Sequence, residues 1–381
     1  MYVSGQSGIG SLIDALAERG HRVIGPVIRN EALVYDEIDG VEDLPKGWTD
    51  TQEPGRYRLE HRGDEKLFGY VVGPTSWKQY LTPPETVMWS GTLGQGGFVT
   101  DPIAETPKYA FFGVRPCELA AIAITDRVYA ESNGVPAIAG YTEARKNTFI
   151  VAVNCGEPGG NCFCVSMDTG PSAKAGYDIA ITEIVHNGNM RYLLESGSDA
   201  GAEVLASLGT LDAASDQEIE NGAKLLAAAA ASMGKKLDTD DLPNLLKGNA
   251  LNPRWQSVAE RCLSCANCTM VCPTCFCSTV EDDLSLDGEH ATRTRKWDSC
   301  FTLDFTYMHG RSTRYKAASR YRHWITHKLA TWEDQFGESG CVGCGRCITW
   351  CPVGIDITAE AAAIRRGDLR DAHITVGGAA R

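Results

Sequence analysis

CLSCANCTMVCPTCFC, residues 262–277, carries six cysteines, at positions 262, 265, 268, 272, 275 and 277. The first four fall as C-x2-C-x2-C-x3-C followed by proline. CVGCGRCITWCP, residues 341–352, repeats that spacing at Cys341, Cys344, Cys347 and Cys351. Three cysteines at three-residue intervals can wrap one polynuclear centre, each thiolate reaching a different metal atom. The longer x3 step and the proline direct the fourth cysteine away from its own run.

This is the spacing of two-cluster bacterial ferredoxins, in which the fourth cysteine of each run ligates the other [4Fe–4S] cluster. The expected sets are therefore Cys262, Cys265 and Cys268 with Cys351, and Cys341, Cys344 and Cys347 with Cys272. Structural zinc uses paired C-x2-C knuckles, and two complete runs with matching prolines are more specific than that. Disulfides are not expected of the 15 cysteines, because residues 1–20 lack the charged start and apolar core of a secretory leader.

The chain has 381 residues, enough for two domains, and its 43% hydrophobic and 22% charged content is that of a globular protein. A net charge of −13 argues against a general nucleic-acid binder. The longest apolar run, LLAAAAASM at 225–233, is too short to cross a bilayer, so no membrane span is expected.

HRVIGPVI (21–28), KYAFFGV (108–114) and TFIVAVN (148–154) are short apolar runs of the buried-strand type. YRLEH and KLFGYVV (57–72) read as a hairpin turning at Arg62 to Glu65. IAITEIV and MRYLL (179–194) read as another, turning at Asn187-Gly188. GQSGIG (5–10) and GTLGQGGF (91–98) miss the G-x-G-x-x-G spacing and read as loops or turns. The expected fold is α+β. Residues 1–195 form a mixed α/β domain, 196–255 a helical connecting segment, and 256–381 an α-helical ferredoxin domain with two [4Fe–4S] clusters.

Residues 273–340, between the two runs, are far more than a compact ferredoxin hairpin needs. KAASRYRHWITHKLATWEDQF (316–336) lacks Pro and Gly, so the insertion reads as helical. No acidic residue lies between Asp304 and Glu333, while Arg311, Arg314, Lys316, Arg320, Arg322 and Lys328 are basic. Such a segment is a solvated face, or it compensates the negative charge of thiolate-bound clusters. Tyr315, Tyr321 and Trp324 allow a single-stranded nucleic-acid module as a distant alternative, against the acidic background. His309, His323 and His327 read as surface or packing residues.

RPCELAAIAITDRVYAE (115–131) reads as a helix with Cys117 in its first turn, and TFIVAVN then runs into Cys155, Cys162 and Cys164. Strand–helix–strand implies a parallel pair ending at one sheet edge, where functional groups of open α/β sheets gather. Those four thiols are a candidate third [4Fe–4S] site. Against it stand the cramped Cys162-Phe163-Cys164 spacing and the tendency of single helix cysteines to be plain core residues. Cys275, Cys277 and Cys300 have no assigned role.

More specific stretches are FFGVRPCELAAI (111–122), NCGEPGGNCFCVSMDTGP (154–171), CPTCFC (272–277), WDSCF (297–301) and CVGCGRC (341–347). With YRLEH…LFGYVVGPTSWKQYL (57–81) they resemble one family along most of the chain. It comprises the iron–sulfur β subunit of cytoplasmic NAD(P)-linked [NiFe] sulfhydrogenases and the corresponding iron–sulfur subunit of anaerobic sulfite reductase. The resemblance implies an electron-carrying subunit that performs no bond chemistry itself, with an α-helical ferredoxin domain at its C-terminal end. The implied partners are an FAD-containing, NAD(P)-binding reductase subunit, with the small and large hydrogenase subunits or a siroheme sulfite reductase subunit. The residues agree, since the chain shows no nucleophile–base pair at recognisable spacing, no phosphate loop and no flavin fingerprint.

Overall fold

The computed structural model describes residues 1–102, 106–129, 138–209 and 211–368. In chain order its main strands are β1 (Tyr2–Ser4), β2 (Arg22–Arg29), β3 (Ala32–Glu37), β4 (Trp48–Glu53), β5 (Arg56–His61), β6 (Glu85–Gly94) and β7 (Gly97–Thr100). They continue as β8 (Tyr109–Val114), β9 (Phe149–Val153), β10 (Ile179–His186), β11 (Asn189–Ser196), β12 (Asp212–Ala213), β13 (Ser278–Leu284) and β14 (His290–Trp297). Eight of them form one sheet in the order β12-β1-β11-β10-β9-β8-β2-β3. Its middle strands β2, β8, β9 and β10 run parallel, and antiparallel pairs flank them.

The apolar runs become central strands because both faces of the sheet are covered. Phe112, Val151 and Val153 pack with Ile9, Leu12 and Leu16 of the helix Gln6–Glu18. Their neighbours Phe111, Ile150 and Ala152 pack with Leu119 and Ile122 of the helix Pro116–Tyr129. Asn187 and Gly188 both take positive φ, the geometry that joins β10 to β11 in register.

Two local expectations fail. YRLEH is β5, but it pairs backward with β4 across Pro54-Gly55, not forward with KLFGYVV. KLFGYVV is an irregular buried segment whose backbone is satisfied by side chains instead of a ladder. Glu183 accepts from the Leu67 and Phe68 N–H groups, and Arg115 donates to the Phe68 and Tyr70 carbonyls. GQSGIG is not a loop; it follows β1 and opens the helix Gln6–Glu18. GTLGQGGF spans the turn between β6 and β7.

The insertion between the cysteine runs is helical only in its second half, as Ala317–Thr326, a π-helical stretch His327–Thr331, and Trp332–Phe336. Its first half is the hairpin β13–β14, and β14 pairs antiparallel with β6 to give a second sheet, β13-β14-β6-β7. The wholly α-helical C-terminal domain is therefore corrected. Alternating STVEDDL and HATRTRKW around Asp287-Gly288 is a hairpin signal that the helical reading passed over.

Around the cysteine runs, Trp255, Val258, Tyr321, Trp324 and Ile348 form a core of their own. Tyr321 and Trp324 thus face inward, and Arg320 is held by the Ser264 hydroxyl and the Arg314 and Tyr315 carbonyls. The segment between the halves supplies helices Asp199–Ser207, Asp216–Ala231 and Leu242–Gly248. Among the described residues, no helix is long and apolar enough to cross a membrane.

Candidate metal centres

The two cysteine runs fold alike. Ser264 and Ala266 take left-handed backbone at φ 54° and 66°, and Gly343 and Gly345 occupy the same places in the second run at 67° and 74°. Each run then enters a single-turn helix, Asn267–Met270 or Arg346–Thr349. The curl keeps the leading three thiols of each run within electrostatic reach of one another. It also turns backbone donors inward; the Ser264 N–H lies 3.4 Å from the Cys262 sulfur.

The fourth cysteines cross over. Cys351 stands within reach of Cys262 and Cys268, and it lines one cavity together with Cys262, Cys265 and Cys268, which Cys347 of the second run also lines. Phe301, Tyr321 and Trp324 wall that cavity. Cys272 stands instead with Cys341, Cys344 and Cys347. The Ile355 N–H lies 3.3 Å from the Cys351 sulfur, and the Thr274 hydroxyl lies 3.3 Å from that of Cys272. Four soft thiols round a walled space fit a polynuclear thiolate-bound centre. Among the described residues, no three or more His, Cys, Asp or Glu side chains form a group able to hold a single metal ion.

The parallel pair β8–β9 brings a further set together. Cys117 lies in the first turn of the helix after β8, while Cys155, Cys162 and Cys164 follow β9. All four thiols are electrostatically coupled. Burial pushes Cys164 up to about 12, and it pushes Cys341 up to about 12 against the pull of Lys328. Thiols in such surroundings keep their protons unless a metal displaces them.

The three sets adjoin one another, the second between the first and the third. Cys268 links the first to the second through Cys272 and Cys347, and Cys344 links the second to Cys117, Cys162 and Cys164. The loop before Cys164 is pressed directly on the second run, with the Phe163 N–H donating to the Gly343 carbonyl at 2.8 Å. A Cβ on Gly343 would come within 2.6 Å of the Phe163 and Cys164 backbone, and one on Gly345 within 2.4 Å of the Asn161 carbonyl. Glycine is therefore required in the second run, where the third set abuts it. Among the fifteen cysteines, the exposed one is Cys265 of the first set.

Sequence reasoning missed the charges that hold these sets. Arg346 and Glu118 form an ion pair exposed by only 0% and 1%, beside Cys344 and Cys117. Glu118 also accepts from Tyr35 Oη at 2.6 Å and Trp77 Nε1 at 3.1 Å. Lys328, 3% exposed, donates to Thr274 Oγ1 at 2.8 Å and the Gly340 carbonyl at 3.0 Å. Burial alone would pull its ammonium down, but the Cys272, Cys275 and Cys341 sulfurs together lift it above the usual lysine value. The basic segment does contribute charge to a cysteine set, through this one residue.

Residues 261–355 match the family model described as a 4Fe-4S dicluster domain. Sulfhydrogenase 2 subunit beta of Pyrococcus furiosus is 29% identical over 348 residues, covering 91% of this chain and 93% of that protein. No solved structure matches the chain. The dicluster domain carries [4Fe–4S] clusters and, with that relative, supports an iron–sulfur electron-transfer role of oxidoreductase type. A likeness running through nearly the whole chain, with the dicluster domain inside it, supports kinship with the sulfhydrogenase β subunits.

Proposed function

We propose that this chain relays electrons from a flavin- and NAD(P)H-binding subunit to the catalytic subunits of a cytoplasmic [NiFe]-hydrogenase, or in the reverse direction, without bond chemistry of its own. The observation that carries it is the series of adjoining cysteine sets, which begins at the exposed Cys265. Cys262, Cys265, Cys268 and Cys351 hold one cluster, and Cys341, Cys344, Cys347 and Cys272 the second. Cys117, Cys155, Cys162 and Cys164 hold a third. Bound [4Fe–4S] clusters supply one-electron carriage. The protein supplies spacing, backbone donors to sulfur and countercharge, with residues 1–195, 196–255 and 256–381 as the working units. The iron–sulfur subunit of an anaerobic sulfite reductase is the second reading, favoured by the same quoted motifs. Purification of the native complex separates the two: co-purifying nickel supports the first, and a siroheme absorption band overturns it.

The third set is tested by difference. Cys155→Ala/Cys162→Ala is expected to lose about four irons per chain relative to the parent protein, with the ferredoxin-type signals retained. Unchanged iron content rejects that site. Lys328 gives a second expectation, because a buried cation favours the reduced, more negative state of a neighbouring cluster. At an effective dielectric near 20, a nearby unit charge is worth a few kcal/mol, on the order of 100 mV for one electron. Lys328→Met should therefore shift one midpoint potential downward by roughly that amount, read by a spectroscopic redox titration. An upward shift, or none, contradicts the assignment.

A further inference from the structure

Cys275, Cys277 and Cys300 stand outside the three sets, yet they converge. Cys277 directly precedes β13 and Cys300 follows β14. Ser278 pairs with Trp297, and the Asp298 N–H donates to the Cys277 carbonyl at 2.9 Å, so the open end of the hairpin holds both cysteines. The hairpin places the Cys277 and Cys300 thiols within electrostatic reach of one another, and Cys275 lies within reach of Cys277 on one side and of Cys272 of the second set on the other.

Two buried lysines face this end. Lys78 is 8% exposed, donates to the Cys275 carbonyl at 3.1 Å and sits 3.8 Å from the centre of the Trp297 ring. Lys328 donates to Thr274 on the other side of the same loop. Cysteine sulfurs surround both: Cys275, Cys272 and Cys277 for Lys78, and Cys272, Cys275 and Cys341 for Lys328. A buried ammonium is costly unless an anion balances it, and carbonyl or hydroxyl dipoles bring no net charge. The second cysteine set, through Cys272 and Cys341, accounts for one cation. The other cation and the three remaining thiols are surplus to that set.

We propose that Cys275, Cys277 and Cys300 bind a further iron–sulfur centre at the base of the β13–β14 hairpin, with Lys78 and Lys328 as its countercharges. Three cysteines match the three irons of a three-iron centre, or three corners of a four-iron centre whose last iron takes a ligand other than cysteine. The assignment rests on the electron-relay reading and extends the series of sets from Cys272, on the side of the second sheet.

The test uses the full chain, purified anaerobically and reconstituted with iron and sulfide. Cys277→Ser/Cys300→Ser should lose about three or four irons per chain with matching acid-labile sulfide, while the ferredoxin-type EPR signals persist. Unchanged iron and sulfide, or the loss of one zinc instead, overturns the proposal. Persistence of the ferredoxin signals in either event leaves the relay reading standing, so the two failures are distinguishable. Should the double variant not fold, Cys300→Ala provides the same comparison. Loss or alteration of one cluster spectrum supports the site, and a spectrum and iron content equal to the parent reject it.

Discussion

Cys351→Ala is expected to destroy the cluster of Cys262, Cys265 and Cys268, some eighty residues away in sequence, and to spare the cluster of the run in which Cys351 lies. The reason is the placement of its thiol. Cys351 shares a cavity with the first run and couples to Cys262 and Cys268. The proline after it turns the chain onward, and the Ile355 N–H is directed at its sulfur. About four irons should be lost per chain, together with the cluster of the exposed Cys265, and transfer to an external partner should fall with them. Cys272→Ala is the reciprocal experiment, removing the cluster of Cys341, Cys344 and Cys347. EPR of the two variants distinguishes crossed from local ligation, since local ligation would exchange the two outcomes.

Arg346→Met should be the most destabilising single substitution outside the cysteines. Arg346 donates to the Gly73 carbonyl at 2.9 Å, to the Thr75 carbonyl at 2.9 Å and to Glu118. Removing it leaves the Glu118 carboxylate buried without its counter-ion, next to a cluster of thiols. Breaking one partner of a buried pair costs about 3–5 kcal/mol. Denaturant titration of the holoprotein should show an unfolding free energy lowered by about that amount. Glu118→Gln/Arg346→Met should recover part of the loss, because both charges then leave the interior together. A double variant as unstable as the sum of the two single ones would show that packing, not charge pairing, dominates.

Sequence reading reached the features that rest on local rules. Asn187-Gly188 specifies its turn by backbone conformation, and the apolar runs at 109–114 and 149–153 specify buried parallel strands. The convergence of Cys117 with Cys155, Cys162 and Cys164 followed from the parallel strands of one strand–helix–strand unit, which end at the same sheet edge. What stayed hidden depends on distant partners. Arg346 and Glu118 are 228 residues apart, and nothing near either one announces the other. KLFGYVV has the composition of a strand but borrows its hydrogen bonds from Glu183 and Arg115, which no periodicity reveals. The pairing of β6 with β14 was invisible for the same reason, although β13–β14 alone had a legible turn.

That last pairing has a consequence for how the chain comes into being. β6 leaves the ribosome nearly two hundred residues before β14 exists, so its hydrogen-bonding edge must wait unpaired through most of synthesis. Val87, Met88, Leu93, Phe98 and Val99 are solvent-exposed even in the finished sheet, and an unpaired edge beside such residues invites pairing between nascent chains. The same 278–297 segment follows the first cysteine run directly, so closure of the second sheet comes only once that run has been made. Cutting the gene between the halves would give two fragments with complementary open edges, each prone to self-association when made alone. Expressed together, they should find each other through β6 and β14.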